Sequence, residues 1–94
     1  MDISDIKIRK TIAEGRLRAI VSITFDDTLA VHDMKIVQGD ERLFVAMPSR
    51  KDDNGVFRDI VHPISPEARK SIESEILEAY SRHLAVTEAE AQAV

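Results

Sequence analysis

The sequence predicts an α+β fold, an antiparallel β-sheet of about five strands with one C-terminal amphipathic helix. Three observations predict it. Apolar and polar residues alternate over residues 6–10 and, most clearly, 16–26, which is the period of a half-buried strand. Glycines and Asp/Asn pairs divide residues 1–64 into short segments. From Ser65 onward the apolar residues recur at helical spacing instead.

Ile6 and Ile8 alternate with Lys7 and Arg9, a first strand with one wet face, and Glu14-Gly15 supplies the turn after it. In the second strand Leu17, Ala19, Val21, Ile23 and Phe25 share one face. Arg18, Ser22 and Thr24 share the other, and only Ile20 breaks the alternation. Asp26-Asp27-Thr28 ends this strand. Leu29, Ala30 and Val31 open a third segment that continues through Met34, Ile36 and Val37 and stops at Gly39-Asp40. Residues 43–47 form a continuous apolar run, suited to a strand covered on both faces, and Pro48 closes it. Residues 49–55 are polar and read as a flexible segment, with Asn54-Gly55 offering the positive φ of a hairpin turn. A fifth strand follows over residues 56–61.

Ser65-Pro66-Glu67 reads as a helix N-cap, a proline at the first helical position and an acid in the first turn. Ala68, Ile72, Ile76, Ala79, Tyr80 and His83 or Leu84 then form one apolar stripe, with Arg69, Lys70, Glu73, Glu75 and Glu78 on the remaining surface. A helix over residues 65–84 would be about 30 Å long. Residues 85–94 have weak periodicity and only acidic charges, so they read as a frayed helical extension or a disordered tail. The expected organisation is a single domain over residues 1–84 and that tail.

The chain has 94 residues, 13 Lys and Arg against 17 Asp and Glu, and a net charge of -4. Its pI is about 5.3, which is not the balance of a bulk nucleic-acid binder, although a local basic patch is compatible with it. A domain this small buries only about 60 to 65% of its unfolded surface, so oligomerisation is expected to contribute to stability. The absence of cysteine excludes disulfides and thiolate chemistry. No run of about 18 apolar residues is present to span a membrane, and the first residues do not resemble a signal peptide, so a cytoplasmic protein is expected.

Enzymatic chemistry finds little support. His32, His62 and His83 fall in separate elements, without the HxH or HExxH spacing that puts two imidazoles on one face. Ser49 lacks the glycine-flanked turn of a nucleophile elbow. Asp26, Asp27, Asp33 and Asp59 sit at strand ends and suit turn capping better than acid–base work. Gly15, Gly39 and Gly55 are isolated, so no glycine cradle for a nucleotide exists and no cofactor is expected. Phe25, Phe44, Phe57 and Tyr80 lie in apolar stripes, which fits core packing rather than base stacking. The cations are more informative. Arg9-Lys10, Arg16 and Arg18 cluster at the first hairpin, and Arg50-Lys51 and Arg58 bracket the second, where they could hold phosphates or simply block a strand edge.

Four segments, taken together, resemble the SpoVG family, the stage V sporulation protein G or septation regulators of bacteria. They are Glu14-Gly15-Arg16-Leu17-Arg18-Ala19-Ile20-Val21-Ser22-Ile23-Thr24, Val31-His32-Asp33-Met34-Lys35-Ile36-Val37, Leu43-Phe44-Val45-Ala46-Met47-Pro48-Ser49-Arg50-Lys51 and Gly55-Val56-Phe57-Arg58-Asp59-Ile60-Val61-His62-Pro63-Ile64. The resemblance implies a small β-rich domain with a C-terminal helix, a homodimer without enzymatic activity and a cytoplasmic regulatory role in septation, sporulation or DNA- and RNA-linked gene expression. The family's usual Ser-Lys-Arg after the proline is here Ser49-Arg50-Lys51, and Asp52-Asp53 places acids beside those cations.

Two functions fit these readings. One is a dimeric, non-enzymatic regulator that binds DNA or RNA through Ser49, Arg50, Lys51 and Arg58, with Arg69 and Lys70 at the helix start as a second contact. The other is an interaction module that touches division or sporulation proteins without binding nucleic acid.

Overall fold

In the computed structural model, residues 2–12 and 14–92 are described, with side chains up to residue 86. Strands β1 (Ile3–Thr11), β2 (Leu17–Phe25), β3 (Leu29–Gln38) and β4 (Leu43–Ala46) form an antiparallel sheet in the order β1-β2-β3-β4. Strands β5 (Ser49–Lys51) and β6 (Phe57–Asp59) form a separate antiparallel pair, and helix α1 (Pro66–Gln92) ends the described chain. The α+β class with a C-terminal helix is therefore present. The strands differ from a single five-stranded sheet: among the described residues there are two sheets, of four and two strands.

The division falls at Pro48. Proline has no N–H to continue a ladder, so pairing with β3 stops at Ala46, and the buried Met47-Pro48 step leads the chain out of the large sheet. Of the polar segment 49–55, expected to be flexible, Ser49–Lys51 form β5 and the remainder is the hairpin turn. Its base is tied by the Ile60 N–H, which donates to the Pro48 carbonyl at 2.8 Å.

The apolar face read from β2 is the core. Ala19, Val21, Ile23 and Phe25 are buried with Met34, Ile36, Val45 and Met47 against Ile76 and Tyr80 of α1. Ile3, Ile6, Ile8, Ile72 and Leu77 close the margins. Ser65 caps the helix as expected, its Oγ accepting the Ala68 N–H at 3.1 Å. The apolar stripe ends at Tyr80, because His83 and Leu84 are exposed, while the helical backbone continues to Gln92. Packed on both edge strands, α1 also guards one of them: Glu73 Oε1 accepts the Val45 N–H of β4 at 3.4 Å.

Turns and bulges aim the remaining side chains. Asp26 and Asp27 both have positive φ, 51° and 54°, and the Thr28 N–H donates to the Phe25 carbonyl at 2.9 Å. Two successive left-handed residues match the strand twist of a tight hairpin, and Asp tolerates that conformation better than most side chains. In β3 an extra residue lies between the pairs Ile23↔Val31 and Val21↔Met34, and Asp33 within that bulge has φ 63°. In β1 another extra residue, Arg9, lies between Ile8↔Val21 and Lys10↔Ile20. The β3 bulge has apolar pairs of the helix-covered face on both sides, whereas the β1 bulge separates Ile8↔Val21 on that face from Lys10↔Ile20 on the opposite one.

Candidate nucleic-acid interface

The second hairpin is built by its turn. The Gly55 N–H donates to the Asp52 carbonyl at 3.0 Å, the Asp52 N–H donates to the Val56 carbonyl at 2.9 Å, and Gly55 has φ 80°. A left-handed glycine closing a three-residue loop is the geometry that Asn54-Gly55 foreshadows, although only the glycine takes positive φ. The Asp52 carboxylate fastens the loop from the side: Oδ1 accepts the N–H groups of Asn54 and Val56, each at 2.9 Å, and Oδ2 accepts Arg58 Nε at 2.8 Å. Arg58 first, and then the Val56 N–H with a smaller contribution from that of Asn54, hold this carboxyl below the usual 3.8.

The register of the pair fixes which side chains meet. Arg50 is directly opposite Arg58, Lys51 is opposite Phe57, and Ser49 is opposite Asp59. Opposed residues of an antiparallel pair share a face, so the two arginines stand together on one side, while Ser49 and Lys51 lie on the other. Lys51 Nζ sits 5.8 Å from the centre of the Phe57 ring, a cation–π contact. All six strand residues are exposed. The hairpin thus gathers Arg50, Lys51 and Arg58, with one arginine already engaged by Asp52. That ion pair is what the sequence could not supply, since Asp52 and Arg58 meet only once the loop is closed.

Arg69 and Lys70, exposed on α1, line a different groove of about 430 Å³ together with Arg42, Glu73 and Leu77. Arg42 joins these cations through the fold and was not among the expected site residues. The cations of the first hairpin are dispersed: Arg16 pairs with Asp40 at 3.3 Å, while Arg9 lies on the sheet face away from α1. His32 lies on that face as well, and His62 and His83 are exposed elsewhere. Among the described residues, no three His, Asp or Glu side chains group as metal ligands, and no helix is long and apolar enough to cross a membrane.

An antiparallel meander roofed by one helix, with a charged hairpin outside its core, defines a small α+β domain whose polar groups are displayed rather than enclosed. The SpoVG family model matches residues 1–82. Among similar proteins, that of Clostridium beijerinckii is 52% identical over 82 residues, covering 87% of this chain and 90% of the relative. That of Desulforudis audaxviator is 55% identical over 80 residues, covering 85% and 91%. Each carries the name "Putative septation protein SpoVG". The chain belongs to the SpoVG family.

Proposed function

We propose that this protein is a cytoplasmic, non-enzymatic regulator of septation or sporulation and gene expression that works as a homodimer and binds DNA or RNA through the second hairpin. The septation role follows from the names of its relatives. The observation that carries the nucleic-acid reading is the placement of Arg50 opposite Arg58. Two like charges directly across a strand pair are unfavourable on an exposed hairpin, and Asp52 engages only Arg58. A phosphate between or beside the guanidinium groups relieves that repulsion and accepts their planar N–H donors. Arg69, Lys70 and Arg42 offer a second cationic surface, and Ser49 a hydroxyl at the edge of the hairpin.

The homodimer reading draws support from the apolar residues beyond the core. Val56, Phe57, Ile60, Val61 and Ile64 are all exposed within a short stretch, with Ile64 at 93%. A second copy covering this stretch would protect it from water, and an interface of ordinary size buries about 1,600 Å². The same stretch favours the second reading, docking of a division or sporulation protein without nucleic acid. The domain proper is taken to end near residue 84.

Replacing Arg50, Lys51 and Arg58 together by alanine tests the first reading. Each phosphate contact contributes about 0.9 to the slope of log K against log salt on duplex DNA, so loss of three flattens it by about 2.7. The variant is expected to stay folded and to bind duplex DNA and RNA more weakly. Equal affinities and slopes would remove the hairpin from the interface, and a wild-type protein that binds neither at low salt would favour the protein-partner reading. Light scattering at roughly tens of micromolar, above the range where interfaces of micromolar affinity dissociate, is expected to give the mass of a dimer.

A further inference from the structure

Ser22 is the only polar residue that is buried among the described ones, yet it lies on the sheet face that α1 does not cover. Its Oγ accepts Arg9 Nε at 3.0 Å and lies 2.8 Å from His32 Nδ1. Arg9 is the extra residue of the β1 bulge, and the β3 bulge at residues 32–33 falls opposite Ser22. Two bulges on two flanking strands therefore turn side chains onto one hydroxyl of the strand between them. Bulges commonly serve to re-aim a side chain.

Core packing does not require this arrangement. Arg9 and His32 are exposed, and water could satisfy both. Laying a long arginine side chain across the sheet gives up rotamer freedom that a solvated arginine would keep. The bonds also orient the outward-facing groups. Arginine can only donate, so Ser22 Oγ accepts from Arg9; where the Ser22 hydroxyl in turn donates to His32 Nδ1, the imidazole hydrogen sits on Nε2. The Arg9 Nη groups and His32 Nε2–H are then held as donors at the edge of one anchor.

Arg9, Ser22 and His32 line a shallow depression of about 340 Å³ with Ile20 and Asp33. Lys7 is the register partner of Ser22, and Lys10 and Lys35 are both partners of Ile20, so three lysines share this face. Asp33 and Asp5, the partner of Thr24, oppose them. The cations outnumber the acids here, in a chain whose net charge is -4.

We propose that this depression is a phosphodiester subsite, in which one phosphate of a nucleic-acid backbone is held by Arg9 and His32 over the Ser22 anchor. The subsite rests on the nucleic-acid reading above but uses none of the hairpin residues. The depression is open at the surface, so a continuous chain can lie along it, with Lys7, Lys10 and Lys35 available to the phosphates on either side. Asp33 is the counterweight. Its left-handed backbone is one that asparagine also adopts readily, so Asp33→Asn removes the charge without straining the bulge.

A labelled 20-nucleotide RNA and the matching DNA, titrated at two salt concentrations, test the subsite with Arg9→Gln, His32→Gln and Asp33→Asn beside the Arg50, Lys51, Arg58 triple variant. Arg9→Gln is expected to weaken binding about tenfold and flatten the salt slope by about 0.7 on single strands and 0.9 on duplex. His32→Gln is expected to weaken it several-fold. Asp33→Asn is expected to tighten it, a change of sign that a purely structural role for the bulge would not produce. Melting temperatures confirm that each variant is folded, and NMR shifts of the Arg9 Nε–H and His32 Nε2–H signals on RNA addition report the contact directly. Wild-type binding that is unchanged by Arg9→Gln and Asp33→Asn, with silent ring and guanidinium signals, overturns the subsite and leaves the hairpin reading intact. A wild-type protein that binds neither RNA nor DNA overturns both.

Discussion

The two sheets of this protein share antiparallel pairing and are held by different forces. The four-stranded sheet rests on burial: Ala19, Val21, Ile36 and Ile76 are fully covered, and the helix seals one face. In the β5–β6 pair every strand residue is exposed, and its order comes from turn chemistry, with one carboxylate receiving two backbone N–H groups and a guanidinium. Burial is indifferent to pH and salt over ordinary ranges, whereas charge and exposed hydrogen bonds are not. The part of the molecule displayed to partners is therefore also the part that solution conditions can adjust.

The largest expected effect is on the buried sheet. Ile76→Ala removes a side chain with no exposed surface at the centre of the helix contact, and such truncations cost about 2–5 kcal/mol. In a domain this small each kcal/mol lowers Tm by roughly 4–8 °C, so calorimetry should show a fall of at least about 8 °C. Ile72→Ala, at a half-buried position, should cost less. A Tm unchanged by Ile76→Ala would show that the helix does not hold the sheet together.

Acid should act first on the other side of the comparison. Because the Asp52 carboxyl is held below 3.8 in the folded hairpin, the stabilisation it gives is complete above that value. It is lost as the pH falls through the lowered value, when the carboxyl takes up a proton and releases Arg58. The amide signals of Asn54 and Val56 should therefore move only below about pH 3.8, and Asp52→Asn should abolish that transition. In the same variant Arg58 loses its internal partner, so nucleic acid should bind a few-fold more tightly at neutral pH. Weaker binding would mean that Asp52 is needed to present Arg58 rather than to compete for it.

The smallest effect should follow removal of residues 85–94. The apolar stripe of α1 ends at Tyr80, and Ala85 and Val86 are exposed. Surface changes of this kind stay within about 0.5 kcal/mol, which sets a Tm shift of less than about 4 °C. A larger loss would show that the sheet draws stability from the end of the helix.

What the sequence made legible follows the same division. β2 could be read residue by residue because burial alternates along it, and the helix start could be read because Ser65, Pro66 and Glu67 act locally. The Asn54-Gly55 turn was legible for the same reason. The pairings Asp52–Arg58 and Arg50↔Arg58 depend on loop closure and register, which composition does not encode. Least visible was the meeting of Arg9, Ser22 and His32, residues from three strands brought together by two bulges. Ile20, the one break in the β2 alternation, lines that same depression, so the irregular residue marked the open face without revealing what it borders.

The β3 bulge also changes the parity of the strand. Val31 faces the core from an odd-numbered position, while Met34 and Ile36 face it from even-numbered ones. If all these residues were threaded as a regular strand with no bulge, everything on one side of residues 32–33 would turn over: Lys35 would enter the core, and Met34 and Ile36 would meet water. A single deletion at residues 32–33 would therefore keep Val31, Met34 and Ile36 on the core face and cost only the bulge, whereas a single deletion at residues 34–37 would invert the rest of the strand. Within β3, the one residue that can be lost without turning the strand over is the extra residue of the bulge itself.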